Sequence, residues 1–325
     1  MMFTAYAPAL LLLALALDAL VGDPDWLWRR LSHPVVVMGR AIAALEAQLN
    51  RRAWSFPARR IAGLAALSLL LAPAIGGGLL LHRLVAGSML GAFVEVCLVA
   101  VLLAGRSLYD HVARVAAAFE TGGLAEARTA VSMIVGRDPE SLDEAGVSRA
   151  AIETLAENFS DGLVAPACWY LVAGLPGILI YKLVNTADSM IGHRSERYHA
   201  YGWAAARLDD VLNLVPARIS GLLIVAAAAI HGWMGVRQSF AAMWRDAPRH
   251  KSPNAGWPEA AMAGALGLAL AGPRRYGGTI VDDHWMNAGG RQEATAADIR
   301  RALRLYVLAS FLGGLGIAIL SVLAR

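Results

Sequence analysis

Lysine is nearly missing from this chain of 325 residues: among its 29 basic residues only Lys182 and Lys251 are lysines. Charge of either sign is scarce, at 17% of residues, where soluble domains carry about 25%. With 57% hydrophobic residues the chain has too little polar surface for a water-soluble fold, which excludes a soluble globular enzyme. The two cysteines, Cys97 and Cys168, each stand alone in an apolar stretch, which excludes a disulfide framework and a cysteine zinc site. There is no HExxH helix, Walker A loop, GxSxG elbow or GxGxxG turn after a strand. A nucleotide would therefore bind without the usual phosphate loop. Runs of Lys and Arg long enough for nucleic acid are also missing, so no nucleic-acid partner is expected.

What is present is a series of continuous Leu- and Ala-rich runs without the period-2 alternation of a membrane barrel. A membrane helix needs roughly 20 mainly apolar residues. Pro8–Gly22, Ile61–Leu81, Leu163–Val184, Val211–Trp233 and Leu305–Leu323 are candidates. Ser88–Ala104 is shorter and contains Glu95, and the Gly-rich Ala260–Gly272 is too short to span. That last stretch reads as re-entrant, interfacial or buried against other helices. The expected fold is all-α: a polytopic α-helical integral membrane protein, residues 1–325 as one domain, with a cytoplasmic helical insert at about 105–161.

Asp23–Arg60 is Arg-rich and expected as a cytoplasmic loop, which places the uncharged N-terminal helix start outside. That first helix lacks a basic n-region and reads as retained rather than as a signal peptide. Gly235–Arg304 is also Arg-rich and expected to be cytoplasmic. Leu163–Val184 contains Pro166, Gly174, Pro176 and Gly177, so a broken or re-entrant helix is expected there. Thr295-Ala-Ala-Asp298 resembles a capping box opening the last helix.

Four polar clusters interrupt the apolar pattern. The first is Arg137-Asp138-Pro139 with Arg149, Glu153, Glu157, Asn158, Ser160 and Asp161-Gly162; Arg149, Glu153 and Glu157 share a helix face beside an Ile152, Leu155 and Phe159 stripe. Carboxylates at a membrane boundary suit Mg²⁺, and a solvated face with ordinary ion pairs is the alternative. The second is Lys182, Asn185, Thr186, Asp188, Ser189 and Gly192-His193-Arg194, a polar stripe on a helix that continues from an apolar run. Ionisable groups in that setting point to function. The third is Arg207, Asp209, Asp210 and Asn213, followed by Arg218. The fourth is Lys251-Ser252-Pro253-Asn254-Ala255-Gly256-Trp257-Pro258-Glu259, a stiff loop that suits phosphate or is only a turn. His33-Pro34 beside Gly39-Arg40 reads as structural.

Several of these blocks together resemble the adenosylcobinamide-phosphate synthase family, membrane enzymes of cobalamin biosynthesis. They are Asp18 with Gly22-Asp23-Pro24, His33-Pro34 with Gly39-Arg40, and Gly136-Arg137-Asp138. Glu153-Thr154, Glu157-Asn158 with Ser160-Asp161-Gly162, Asn185-Thr186-Asp188-Ser189 with Gly192-His193, and Ser252 to Ala260 follow in the same order. The resemblance covers nearly the whole chain.

It implies ATP- and Mg²⁺-dependent amide ligation, joining adenosylcobyric acid to aminopropanol phosphate or a related amino alcohol to give adenosylcobinamide phosphate. On that basis Arg137, Glu153, Lys182 and Asp188 are candidate catalytic residues, and Glu157, Asp161 and Asp188 candidate Mg²⁺ ligands. Asn158, Ser160, Asn185, Thr186, Ser189, His193, Arg194, Ser252 and Asn254 are candidate substrate contacts. The expected setting is the cytoplasmic membrane with the active site facing the cytoplasm, and the partners are the corrinoid, the amino-alcohol phosphate, the lipid bilayer and later membrane enzymes of the pathway. A corrinoid-binding or transport component is the alternative, since broken helices with polar breaks also serve carriers.

Overall fold

A computed structural model describes residues 6–135, 139–276, 279–281 and 283–323. In chain order the helices are α1 (Ala7–Val21), α2 (Asp25–Trp28), α3 (Pro34–Leu49), α4 (Phe56–Val85), α5 (Met89–Leu102), α6 (Gly105–Thr121), α7 (Gly123–Ser132) and α8 (Glu144–Asn158). A π-helical turn (Phe159–Val164) follows, then α9 (Ala165–Ile191), α10 (Trp203–Ala227), α11 (Gly232–Asp246), α12 (Gly256–Leu266) and α13 (Ala296–Leu323). Four strands of two or three residues, β1 (Leu270–Ala271), β2 (Arg274–Tyr276), β3 (Thr279–Val281) and β4 (Trp285–Met286), pair antiparallel as β1–β4 and β2–β3.

Among the described residues five helical stretches are long and apolar enough to cross a bilayer: Phe56–Val85, Met89–Thr121, Glu144–Ile191, Trp203–Arg249 and Ala296–Leu323. The chain is thus an all-α polytopic membrane protein, in which each helix pairs its own backbone groups. Ala7–Val21 is apolar but shorter. The segment Asp23–Arg60, expected as a loop between spans, holds α2, α3 and the start of α4. Its helical start is legible afterwards: His33 Nδ1 accepts from Val35 N at 3.2 Å, and Pro34 occupies the first turn. Burial pushes the His33 imidazole below its ordinary pKa, with Asp23 opposing, which favours the neutral ring that this acceptor role requires.

The chain divides into two compact units, each assembled from separate segments. The first comprises 1–104, 165–213 and 317–325. Within it α4 and α9 pack closely because glycines remove side chains from the contact: a Cβ on Gly78 would lie 2.7 Å from Pro176 Cα. Ile42, Leu183, Ile191 and Tyr201 form part of the core beneath them. Helix α9 is broken, as Pro176 and its neighbouring glycines foretold: Ala173 and Gly174 leave helical geometry, and Gly174 takes φ 61°. Trp169 Nε1 donates to Leu212 O at 3.0 Å and Tyr170 OH to Glu95 Oε1 at 2.7 Å, fastening the run just before the break.

The second unit comprises 105–164 and 214–316, so the polar insert expected at 105–161 lies wholly inside it. Helices α6, α7 and α8 pack on one another, with Ile152, Leu155 and Phe159 buried as the stripe predicted. Tyr306 OH donates to Gly105 O at 2.7 Å, and its ring meets Phe159 edge-on. Helix α12, expected as re-entrant, interfacial or buried, is buried between α8 and α11 along most of its length. Asp298 accepts from Thr295 N at 3.0 Å and Oγ1 at 2.9 Å, the reach-back of a capping box at the start of α13.

In the first unit Glu46 accepts from Arg197 Nε at 3.0 Å, Arg197 Nη2 at 2.7 Å and Asn50 Nδ2 at 2.8 Å. The guanidinium bonds hold the Glu46 carboxyl below its ordinary range, against burial, which raises it. A lowered folded-state value means that this contribution is present above the unfolded value and disappears as pH falls through the folded one. Thermal midpoints in detergent should therefore stay level from about pH 7 to about pH 5 and fall below about pH 4.3. Glu46→Gln should flatten that fall; a profile parallel to the parent's would reject the role.

Candidate active site

In the first unit the continuation of α9 beyond its break carries the second sequence cluster and faces α10. Asp209, buried on α10, accepts from Asn213 Nδ2 at 3.0 Å and from Asn185 Nδ2 at 3.3 Å. Asn213 Oδ1 in turn accepts from Tyr181 OH at 3.0 Å. The result is a polar ladder Tyr181–Asn213–Asp209–Asn185 laid across two apolar helices. Asp188, one turn beyond Asn185, lies close enough for its charge to act on Asp209. A Cβ on Gly192 would stand 1.9 Å from Asp188 Oδ1, so the bare glycine leaves room for the carboxylate over the helix end. The Asn-Thr-x-Asp and Gly-His blocks are thus parts of one local arrangement.

Lys182 is buried one turn before Asn185, and its charge acts on His33. Thr186 Oγ1 donates to Lys182 O at 2.6 Å, so this hydroxyl is engaged with its own helix. Ser189, His193 and Arg194 are exposed, and Arg194 acts electrostatically on Asp210. An ammonium buried among apolar helices is costly unless it is met by partners or serves chemistry.

The second unit holds the first and fourth clusters. Glu153 is buried, and its Oε1 accepts from Ala271 N at 2.9 Å. Ala271 has φ 60°, a conformation that costs a non-glycine residue about 1–2 kcal/mol. Glu153 therefore secures a strained strand residue. Glu157 is exposed and Asp161 half-buried; Ser160, Asp161 and Gly162 lie in the π-helical turn, a geometry often found at functional sites. Ser160 is buried, and Asn158 Nδ2 donates to Thr154 O at 3.0 Å. Arg149 does not pair with Glu153: its guanidinium donates to Gln292 O and lies over the Trp285 ring.

In the fourth cluster Ser252 Oγ accepts from Asn254 N and Ala255 N, both at 3.2 Å, which makes it the fastening of the turn before α12. Asn254 is buried, and its Oδ1 accepts from Arg218 Nη1 at 3.3 Å. Arg137 lies outside the described residues. Among the described residues no group of three or more His, Cys, Asp or Glu is arranged to hold a metal ion. Nucleotide-bound Mg²⁺ needs only one or two protein carboxylates, the remaining ligands being phosphate and water.

Sequence reasoning grouped Asp209 with Asn213 without giving either a role, and it passed over Tyr181 and the Glu95–Tyr170 bond. The four-residue spacing of Asp209 and Asn213 was the available signal. Tyr181 had none, because an aromatic residue in an apolar run reads as core.

A polytopic all-α membrane protein with a buried polar ladder and a buried lysine is the class that fold and site define. The sequence matches the family of the CobD/Cbib protein over residues 11–306. The chain belongs to that family, the one its motif blocks resemble. Proteins named cobalamin biosynthesis protein CobD are similar to it throughout. The one from Sinorhizobium sp is 56% identical over 299 residues, covering 91% of this chain and 93% of its own. That from Rhizobium meliloti is 54% identical over 303 residues, covering 92% of each. That from Brucella suis is 54% identical over 297 residues, covering 90% of each. No solved structure matches the chain.

Glu153→Ala should leave the Ala271 N–H buried without an acceptor and lower stability by about 1–3 kcal/mol, whereas Glu153→Gln keeps an oxygen in place and should stay near the parent. Denaturation in detergent measures both; equal losses would show that charge, not the bond to Ala271, is what matters.

Proposed function

We propose that this protein serves cobalamin biosynthesis as an ATP-dependent amide ligase in the cytoplasmic membrane, with its site facing the cytoplasm. The reaction joins the free carboxyl of adenosylcobyric acid to the amine of aminopropanol phosphate or a related amino alcohol, giving adenosylcobinamide phosphate. The observation that carries the reading is the family match over residues 11–306, which takes in the described polar residues of α8, the π-helical turn and α9.

The chemistry sets the requirements. A carboxylate and an ammonium do not condense in water, so the carboxyl first needs a leaving group, and a phosphoryl group from ATP supplies one. The activated acyl group must then be kept from water until the amine attacks. Asp188 is the proton acceptor we assign to the ammonium, since Glu153 is engaged by Ala271 N. Lys182 and Arg194 are assigned to phosphate charge, with Arg137 as a further cation. Asn158, Ser160 and Asn254 are assigned to substrate amides, Asn185 to the amine, and Thr186, Ser189, His193 and Ser252 to further substrate contacts.

Glu157 and Asp161, oxygen donors one helical turn apart, fit a hard divalent ion, and we assign them to Mg²⁺. When bound, that ion neutralises nucleotide phosphates. Asp188, expected to share in the metal, is reserved for the amine.

The test is the detergent-purified protein with adenosylcobyric acid, aminopropanol phosphate, ATP and Mg²⁺, read by mass spectrometry. A corrinoid heavier by the amine less water, formed only with ATP, is expected. Asp188→Asn should lower turnover by about 10²–10⁴-fold, the range for a general base. Unchanged corrinoid from folded protein would overturn the ligase and favour binding or transport, a reading to which the break in α9 also lends itself.

A further inference from the structure

The orientation of Asn185 is fixed by chemistry and not only by its fit in the fold. Asn213 gives Nδ2 to one Asp209 oxygen and Asn185 gives Nδ2 to the other. While Asp209 is ionised it has no donor to offer, so neither amide can be turned over without setting oxygen against oxygen. Tyr181 OH confirms the sense of the ladder by donating to Asn213 Oδ1 at its far end. The Oδ1 of Asn185 therefore points away from Asp209, and it accepts no hydrogen bond from any described residue. Asp188 stands at i+3 from Asn185 on the same face of α9. Two acceptors, an amide oxygen and a carboxylate, thus belong to residues one turn apart on one face of α9, near the end of the helix.

Resting on the ligase reading, we propose that Asp209 is a positioning residue that sets the hydrogen-bond polarity of this site. It holds Asn185 with its acceptor outward, so that Asn185 and Asp188 together select the ammonium end of the amino-alcohol phosphate. An ammonium brings three N–H donors and no acceptor, which matches two neighbouring acceptors and rejects a group of equal size without donors. Asp209 itself touches no substrate; its effect passes through the amide it orients. Without the carboxylate, Asn185 gains a second orientation, with Nδ2 outward, that repels the ammonium.

The experiment is direct binding by calorimetry on the full chain in detergent, without ATP or corrinoid. The probes are 1-amino-2-propanol phosphate and its isostere with a methyl group in place of the ammonium. The parent protein should prefer the amine by at least about tenfold, a preference of the size that one unsatisfied buried acceptor gives. Asp209→Asn, which is nearly isosteric, should reduce that preference several-fold with little change in affinity for the methyl isostere. Asn185→Ser removes the acceptor without altering Asp209 and should do the same, which covers the case of Asp209→Asn failing to fold. A purely structural role would weaken both probes alike. Unchanged preference in both variants, no preference in the parent, or displacement of Mg²⁺ rather than selection of the amine would each overturn the proposal. The ligase reading fails separately, on absence of the amide product, because the binding measurement requires no turnover.

Discussion

A carboxylate enclosed by apolar helices must be met by donors, and this requirement organises the polar part of the first unit. Asp209 cannot remain in that setting unaccompanied. Asn185 and Asn213 supply its donors, and Tyr181 supplies Asn213. Each step of the ladder fixes the next, so the register of α9 against the start of α10 follows from the pairing. The break at Gly174 serves the same arrangement: it starts a fresh helical run in α9, from which Tyr181, Lys182, Asn185 and Asp188 project.

The second unit meets the same demand in another way, by matching buried carboxylates to backbone. Glu153 accepts from Ala271 N, Asp246 from Asn287 N at 2.8 Å, and Asp298 from Thr295 N. Ala271 and Asn287 both have positive φ, and each lies beside a strand or within one where neither helix nor extended sheet pairs its N–H. Acid side chains there stand in for missing secondary structure. That is why a helical unit tolerates a short irregular β segment, and why Glu153, which reads on a helix face as a base or ligand, is held by a main-chain bond.

Much of this was open to sequence reasoning, and the misses have identifiable causes. Apolar runs revealed the membrane helices because length and hydropathy are local properties. Pro176 beside Gly174 and Gly177 revealed the break, since proline cannot donate and glycine alone enters φ 61° without strain. Thr295 and Asp298 revealed the cap. The Arg-rich Asp23–Arg60 reads as a connection between spans, and the helix α3 inside it starts at His33 and Pro34, an N-terminal cap that composition does not register. By sequence Ser252 suits a phosphate contact or a turn, and the turn is what its hydroxyl fastens.

The sequence by itself determined the class of protein, the family, the approximate spans and which residues are polar in apolar surroundings. These depend on residue type and on spacing of a few positions along one helix. Only the tertiary structure decided which of those polar groups answer one another. Asn185 and Asp209 are 24 positions apart, and Glu153 and Ala271 are 118 apart. Nothing local ties such pairs; the packing of helices does. A side chain's role follows from the partner that packing brings to it, because a buried polar group is defined by what satisfies it.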